Sequence, residues 1–252
     1  MNPAVLRLAF AWLLLLWPSS AAAQQPAAEE LIEAYVRAIG GREAHLGHAS
    51  IVRSGTLEMP ALNVQGEFEI RQQAPGRTWM RTSLPGIGEL LTGFDGEVGW
   101  SVDPVGGPVL MQGAELTQAR ERASFLAAVR DTALVRERQT TELTEVEGRP
   151  CWTVRLLWAS GRETLDCYST EDGLLVASED TQATQTGSMR VISIFFDYRD
   201  FNGMLLPTRL VQKSMGVEKV LTIRDVQVDV LDPPQLDPPA AITELRKAAS
   251  GL

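Results

Sequence analysis

The chain has 252 residues, a formal net charge of −9 and a hydrophobic fraction of 44%. A chain of this length and composition can bury a sizeable core in one or two domains. The negative charge argues against nucleic acids and anionic membrane surfaces as main partners, because both would repel the protein. Any contact with lipid would therefore be made mostly through apolar groups.

Residues 1–23 have the pattern of a secretory signal peptide. One basic residue, Arg7, precedes an apolar run from Leu8 to Trp17, and three alanines at 21–23 provide a small-residue cleavage site. The run is too short to span a membrane comfortably, and no cysteine follows it as a site for lipid attachment. We predict cleavage near Ala23, a periplasmic location and a mature chain that is not membrane-embedded.

The mature chain opens with a predicted amphipathic helix over residues 27–39, and Gly40-Gly41 ends it. A short turn containing both histidines of the mature chain follows, and the first strand begins near residue 50. The helix carries one apolar face, which consists of Leu31, Ile32, Tyr35, Val36 and Ile39.

From residue 50 onward the hydrophobic pattern mostly has a period of two, which is typical of strands. Phe68 and Ile70, for example, alternate with charged residues at 67, 69 and 71. After residue 139, glycine-containing turn pairs recur roughly every dozen residues, a spacing that indicates an antiparallel meander. These pairs are Glu147-Gly148, Ser160-Gly161, Asp172-Gly173, Thr186-Gly187 and Asn202-Gly203.

The segment F-D-G-E-V-G-W, residues 94–100, predicts a hairpin turn. Asp-Gly pairs tolerate the positive φ angles of a two-residue turn, so Asp95-Gly96 is placed at the tip. Leu91 would then face Trp100, with Leu91, Val98 and Trp100 on one side of the ribbon, pointing into an apolar region. A catalytic role for Asp95 is disfavoured because no base, nucleophile or metal ligand lies near it in the sequence.

A second helix is predicted over residues 114–129, in the middle of the strands. It is rich in alanine and short of large side chains. Its apolar face includes Leu116, Ala119, Ala123 and Leu126.

The two cysteines, Cys151 and Cys167, lie in a predicted hairpin that turns between residues 159 and 162. If Ser160-Gly161 forms a two-residue tip, Cys151 faces Thr170 and Cys167 faces Val154, too far apart for a bond without a bulge. Two alternatives therefore remain open, a disulfide between the two cysteines and two buried free thiols. An oxidising compartment permits the first.

The pattern gives about ten strands and two or three helices in one domain over residues 24–239, followed by a short helix or tail over 240–252. So few helices cannot cover both faces of such a sheet, so we predict a mainly β fold. The sheet would curl into a barrel or half-barrel, with helices covering its inner face.

Several strands are apolar on both faces, which fits either a cavity wall or an ordinary core. The strand over residues 189–198 is one example. Trp152 and Trp158 share one strand face with Val154 and Leu156 and form a broad apolar strip, which fits the same two readings. The candidate cavity lining is Phe68, Ile70, Leu91, Val98, Trp100, Trp152, Val154, Leu156, Trp158, Ile194 and Phe196.

The sequence offers little catalytic chemistry. His45 and His48, with Glu43 nearby, lack a visible third ligand, so we predict no metal site. There is no G-x-S-x-G elbow, P-loop or dinucleotide fingerprint. We predict a protein that is not an enzyme and has no cofactor, with a hydrolase that uses paired carboxylates as a less favoured alternative.

Four segments together resemble the outer-membrane lipoprotein-sorting protein family of bacteria, whose fold is similar to that of the periplasmic carrier LolA. They are L-I-E-A-Y-V-R-A-I-G-G-R-E-A, F-D-G-E-V-G-W, G-R-E-T-L-D-C-Y-S-T-E-D-G-L-L-V and F-D-Y-R-D-F-N-G-M-L-L-P-T-R-L. The resemblance extends over residues 29–235 and rests mostly on turn and strand patterns.

The resemblance implies a strongly curved antiparallel sheet, an unclosed half-barrel whose concave apolar face is plugged by helices and accepts acyl chains. The expected partners are lipid or an acylated lipoprotein, with inner- and outer-membrane sorting proteins as donor and acceptor. We expect the helix over 114–129 to act as a lid that exchanges its own contacts for lipid contacts. The alternative is an envelope sensor of the same fold that binds a protein or a lipidated partner.

Overall fold

The computed structural model describes residues 25–230 and 236–249. The predicted signal peptide lies outside these residues. Within them, no helix is both long and apolar enough to cross a bilayer. The α-helices are α1 (Ala28–Ala38), α2 (Gly41–Leu46), α3 (Gly113–Ala123) and α4 (Ala240–Ala249), and two 3-10 turns span Pro60–Leu62 and Phe125–Ala127.

Thirteen strands form a single antiparallel sheet. The first six are β1 (Ser50–Met59), β2 (Val64–Gln73), β3 (Arg77–Leu84), β4 (Gly88–Phe94), β5 (Gly99–Asp103) and β6 (Gly107–Leu110). The other seven are β7 (Val135–Val146), β8 (Arg149–Trp158), β9 (Glu163–Ser169), β10 (Leu175–Thr184), β11 (Gly187–Phe201), β12 (Met204–Ser214) and β13 (Val217–Val228).

The sheet consists of two antiparallel meanders, which are joined by the pairing of β1 with β13. Its strand order is β6-β5-β4-β3-β2-β1-β13-β12-β11-β10-β9-β8-β7, so β1 pairs with β13 while β6 and β7 are the two edges. The predicted unclosed antiparallel sheet is therefore confirmed, but the estimate of about ten strands was too low. One missed hairpin turns at Met215-Gly216, where both residues have positive φ although methionine gives no turn signal.

Helix α3 shows how strongly the sheet curves. It contacts β3, β4 and β5 near one edge and β10 near the other. The Gln118 side chain makes the contact with β10, since its Oε1 accepts a hydrogen bond from the Ala183 N–H at 2.8 Å. A flat sheet could not bring these strands to one helix, so the sheet wraps around α3. We call the face towards α1, α2 and α3 the concave face and the opposite one the outer face.

Helix α1 packs on the other end of the concave face, against β7 and β9. Its apolar stripe meets side chains from β8, β9 and β10, and full burial of each such side chain contributes about 1.5–3 kcal/mol. The helix is therefore a fixed part of the core. This core includes Ile32, Tyr35, Val36, Ile39, Val154, Leu156, Trp158, Tyr168 and Leu175.

The predicted helix over residues 114–129 is too long. Helix α3 ends at Ala123 because Ser124 adopts an extended conformation with ψ of 133°. The Ser124 hydroxyl accepts a hydrogen bond from the Leu126 N–H at 3.3 Å, and the Phe125–Ala127 turn begins there. Serine favours such caps because its side chain competes with helical hydrogen bonds.

The turn at residues 94–100 is a hairpin loop, as predicted, but its register differs by two residues. Gly93 rather than Leu91 pairs with Trp100, and Val98 lies in the loop. The Asp95 carboxylate accepts hydrogen bonds from the backbone N–H groups of Glu97 and Val98, at 2.9 and 2.7 Å. Asp95 therefore serves the turn, and the longer loop results from this side-chain capping.

The two cysteines form a disulfide, with a Cα–Cα distance of 5.4 Å. The predicted hairpin register was wrong by one residue. Cys151 pairs with Ser169 and Thr153 pairs with Cys167, because the Trp158 N–H donates to the Arg162 carbonyl and leaves three residues in the loop. The single-residue shift turns both cysteines to the outer face.

Helix α4 and the segment before it cover the outer face next to β6. Asp237 accepts a hydrogen bond from Arg77 at 2.9 Å, and α4 contacts β6. Leu236 and Ile242 are buried. Trp100 lies on the same face beside Gly93 and is fully buried, although α3 occupies the opposite face of its strand. We infer that α4 shields Trp100 from solvent.

Replacing both cysteines with alanine should lower the free energy of unfolding by about 3 kcal/mol, because the bond closes a loop of roughly 15 residues. Urea denaturation followed by circular dichroism measures the change. Wild-type protein unfolded in the presence of a reductant is the control and should show the same loss. An unchanged unfolding midpoint in both experiments would contradict a structural role for the bond.

Placing an aspartate at Ile242 should detach α4 and expose Trp100 to water. In a protein whose other tryptophans at 79, 152 and 158 are replaced by phenylalanine, the emission should shift to longer wavelength and acrylamide quenching should increase. Thr243→Asp is the matched control, since Thr243 is exposed on the same helix. Equal spectra for the two variants would rule out α4 as the cover of Trp100.

Candidate functional site on the concave face

One half of the concave face is an apolar surface, which we call the apolar trough. Four of its side chains are buried and seven are only partly buried. The buried members are Leu57, Phe68, Leu84 and Leu221, and the partly buried members are Met59, Val64, Ile70, Met80, Leu90, Leu210 and Ile223.

Strand pairing places these side chains together. Leu57 of β1 pairs with Leu221 of β13, and Ile70 of β2 pairs with Met80 of β3. Directly opposed residues share a face of a sheet, so the alternating apolar positions of neighbouring strands form one continuous surface. Seven of the side chains stay partly exposed although α3 contacts β3 and β4 and α2 contacts β12, while α1 packs elsewhere on β7 and β9. The trough therefore keeps apolar area accessible to a ligand.

The other half of the concave face encloses a cavity of about 400 Å³, which we call the polar cavity. It lies between the strands, the helices α1 and α2, and the turn after α3. Its apolar lining includes Tyr35, Ile51, Phe125 and Trp158. Its charged lining is Arg53, Arg122, Arg130, Arg162 and Asp166.

Arg130 and Asp166 form a buried ion pair in this cavity. The Arg130 Nε donates to Asp166 at 2.8 Å, and the Asp166 side chain is 1% exposed. Ser178 and Tyr168 also donate to this carboxylate, at 2.6 and 3.2 Å. Burial alone would lower the pKa of Arg130, but the Asp166 charge raises it well above its usual value. Asp166 therefore stays fully engaged by the protein.

Arg162 forms a second buried cluster at the loop between β8 and β9. It donates to Glu121 of α3 and to Asp180 of β10, each at 3.0 Å. Its guanidinium also stacks on the Trp158 ring, 4.3 Å from the ring centre. The Glu121 carboxylate additionally accepts from the Ser160 hydroxyl at 2.9 Å. These bonds attach α3 to the sheet through charges as well as through its alanines.

Arg53 and Arg122 differ from the other two arginines of the cavity. Within the described residues, neither lies within ion-pair distance of a carboxylate. Arg53 donates to the Gln72 side chain, and Arg122 donates to the Gln118 side chain at 3.4 Å. The Arg53 Nε is buried and has no hydrogen-bond partner among the residues that the structure describes. Burial lowers the pKa of both guanidinium groups, although both remain charged.

The apolar trough and the polar cavity adjoin at Arg53. Arg53 pairs with Ile70, a trough residue, on one side and with Val226 on the other. Gly55, the next residue on this face of β1, pairs with Phe68 of the trough. The concave face therefore changes from apolar to cationic across one strand position.

The predicted cavity residues divide between the two faces of the sheet. Phe68 and Ile70 belong to the trough. Trp158 lines the polar cavity, Val154 and Leu156 lie in the core beneath α1, and Trp152 is partly buried on the same face. The structure does not place the others on the concave face: Leu91, Trp100, Ile194 and Phe196 lie on the outer face, and Val98 lies in a loop.

The sequence prediction missed the charged residues of the polar cavity. Arg53 lies on the same face of its strand as Ile51 and Leu57. Asp166 lies on the same face of its strand as Thr164 and Tyr168. A charge at an inward-facing position of an apolar strand is a detectable signal of a buried polar site. Arg122 and Arg162 carry no such signal, because one lies on a helix and the other in a loop.

The histidines serve the fold around α2. His45 is buried and its Nε2 donates to the Ile39 carbonyl at 2.9 Å, which satisfies a group at the end of α1. Burial lowers the pKa of His45 and favours the neutral ring. His48 contacts the Asp229 carboxylate at 2.8 Å and joins α2 to the end of β13. The described residues contain no group of three or more candidate metal ligands.

Comparison of folds identifies similar structures. A LolA superfamily protein from Nitrosomonas europaea superposes with a TM-score of 0.56 at 13% identity, over 84% of this chain and 98% of the other. A DUF1329 family protein from Desulfovibrio piger gives 0.56 at 10% identity, over 84% and 97%. A structure described as an outer-membrane lipoprotein-sorting protein domain from Vibrio parahaemolyticus gives 0.55 at 11% identity, over 83% and 97%.

The sequence itself is divergent. It matches no protein-family model, and no curated protein matches it. The likeness is therefore one of fold and extends over nearly the whole length of the similar structures. It agrees with the turn and strand motifs of the sequence: this chain has the fold of the LolA superfamily and of lipoprotein-sorting domains.

Proposed function

We propose that the protein is a periplasmic carrier that binds lipid or the acyl chains of a lipoprotein on the apolar trough, for transfer towards the outer membrane. The observation that carries the proposal is the set of seven partly buried apolar side chains facing the concave side. Contiguous apolar surface on a monomeric protein marks a binding site. The similarity to a lipoprotein-sorting domain supports an acylated cargo.

The energetics of an acyl chain fit this surface. Burial of each CH₂ group contributes about 0.8 kcal/mol, so one chain lying along the trough binds usefully. Binding must also be reversible in a carrier, and a trough that is open along part of its length permits release. The secretory pattern of residues 1–23 and the disulfide support the periplasmic location.

We assign no catalytic role to the concave face. The carboxylates of Asp166, Glu121 and Asp180 each accept from an arginine, and Asp166 and Glu121 also accept from hydroxyl groups. A general acid or base needs access to a substrate proton, and the carboxylates of Asp166 and Glu121 are held by several donors of the fold. Binding and release are the functions that the arrangement favours.

Helix α3 is the proposed gate. A second pocket, of about 550 Å³, lies beside α3 and is lined by Phe94, Thr117 and Arg120, and Ser124 lines both this pocket and the polar cavity. The helix thus separates a surface pocket from the interior. Among the predicted lid residues, Ala119 and Ala123 are buried, Leu116 lies against Gly99 and Leu126 follows the helix end.

Ile70→Gln should weaken binding of a fluorescent fatty acid about tenfold, because it removes apolar contact area from the trough. Ile192→Gln is the matched control, since Ile192 is equally a partly buried strand residue but lies on the outer face. Titration followed by fluorescence measures both affinities. Equal weakening by the two variants, or no binding by the wild type, would contradict the proposal, and the second result would favour a protein-binding module.

Gln118→Ala should accelerate uptake of the same probe, because the side chain holds α3 to the backbone of β10 at residues 181 and 183. Stopped-flow fluorescence measures the rate. Thr117→Ala is the control, since Thr117 is exposed on the same helix. If the two variants take up the probe at the wild-type rate, α3 is not the gate.

A further inference from the structure

Arg53 and Arg122 differ from the other arginines of the polar cavity in having no ion pair among the described residues. Arg130 pairs with Asp166, and Arg162 pairs with Glu121 and Asp180. Arg53 and Arg122 line the same cavity, and their side-chain hydrogen bonds within the described part of the chain go to Gln72 and Gln118. Among the described residues, no carboxylate lies within ion-pair distance of either group, although Asp180, Glu121 and Glu115 act on Arg122 from further away and partly offset the lowering of its pKa by burial.

This arrangement is unusual for arginine. A charged side chain that is removed from water is normally paired, because its lost hydration is otherwise not replaced. The Arg53 Nε is buried without an acceptor in residues 25–230 and 236–249, and such atoms in native proteins call for an explanation. The cavity of about 400 Å³ that these two arginines line is large enough to admit an anionic group.

We propose that Arg53 and Arg122 bind the anionic head group of the ligand, a carboxylate or a phosphate, while its acyl chain lies on the apolar trough. This inference rests on the proposed function and specifies its ligand class as an anionic amphiphile. The planar guanidinium fork matches the oxygens of both groups and binds them by charge-assisted hydrogen bonds.

The position of Arg53 fits an amphiphile better than a free anion. Its neighbour on β2 is Ile70 of the trough, and its neighbour along β1 on the same face is Ile51 of the cavity wall. A head group at Arg53 therefore leaves its chain directed along adjoining apolar side chains. The head group would contact the polar cavity and the acyl chain would contact the apolar trough, and these two surfaces adjoin at Arg53.

The test compares two ligands that differ only by the phosphate, palmitoyl lysophosphatidate and monopalmitoylglycerol, by isothermal titration of the intact mature protein. Palmitate tests the carboxylate, and inorganic phosphate tests a free anion. Wild-type protein should bind lysophosphatidate on the order of 10- to 100-fold more tightly than monopalmitoylglycerol. Arg53→Gln and Arg122→Gln should each reduce this preference, and Arg53→Lys should retain part of it.

Arg155→Gln is the control for loss of one positive charge, since Arg155 lies on the outer face and pairs with Glu163. It should keep the full preference. Circular dichroism establishes that each variant is folded, and if one cavity variant does not fold, the other still decides the test.

The remaining outcomes separate the two proposals. If both glycerolipids bind wild-type protein equally, the carrier function stands and the anionic head-group site is overturned. If inorganic phosphate binds as tightly as lysophosphatidate, the site is one for free anions and the amphiphile is overturned. If no acyl ligand binds, the proposed function fails as well.

Discussion

The buried contacts of Arg162 fix the geometry on which the rest of the concave face depends. This side chain, only 6% exposed, joins Glu121 of α3 to Asp180 of β10 and stacks on Trp158 of β8. Removing one partner of a buried ion pair costs about 3–5 kcal/mol, because the other charge is left without compensation. The position of α3, and with it the boundary of the polar cavity, is therefore set by electrostatics as much as by apolar packing.

The two regions of the concave face match the two parts of a lipid. Apolar side chains of β1–β4, β12 and β13 form the trough, and the cationic lining begins one strand position away at Arg53. The protein as a whole is acidic, with a net charge of −9. Within a screening length of about 8 Å its surface would repel an anionic bilayer, so the interior is the more favourable place for contact with anions.

The sequence predicts the fold far better than the site. Period-two patterns and pairs such as Asn202-Gly203 locate strands and turns because these signals are local. These local signals do not tell which face of a strand points inward. On β11, Ile194 and Phe196 alternate with Val191 and Phe195, and only the strand order decides that Val191 and Phe195 face the helices. Trp100 was misplaced for this reason, and Arg122 was missed because it lies on a helix, where the period-two strand pattern gives no signal.

The unpaired edges of the sheet also bear on the state in which the protein can work. An open sheet exposes free N–H and C=O groups to which another copy could add strands. Here β6 is only four residues long and contains Pro108, while β7 carries exposed charges and is partly covered by residues 25–26, which hydrogen bond to Thr140. Both edges are poor templates for strand addition, so the sheet can leave its inner surface unclosed without promoting self-assembly.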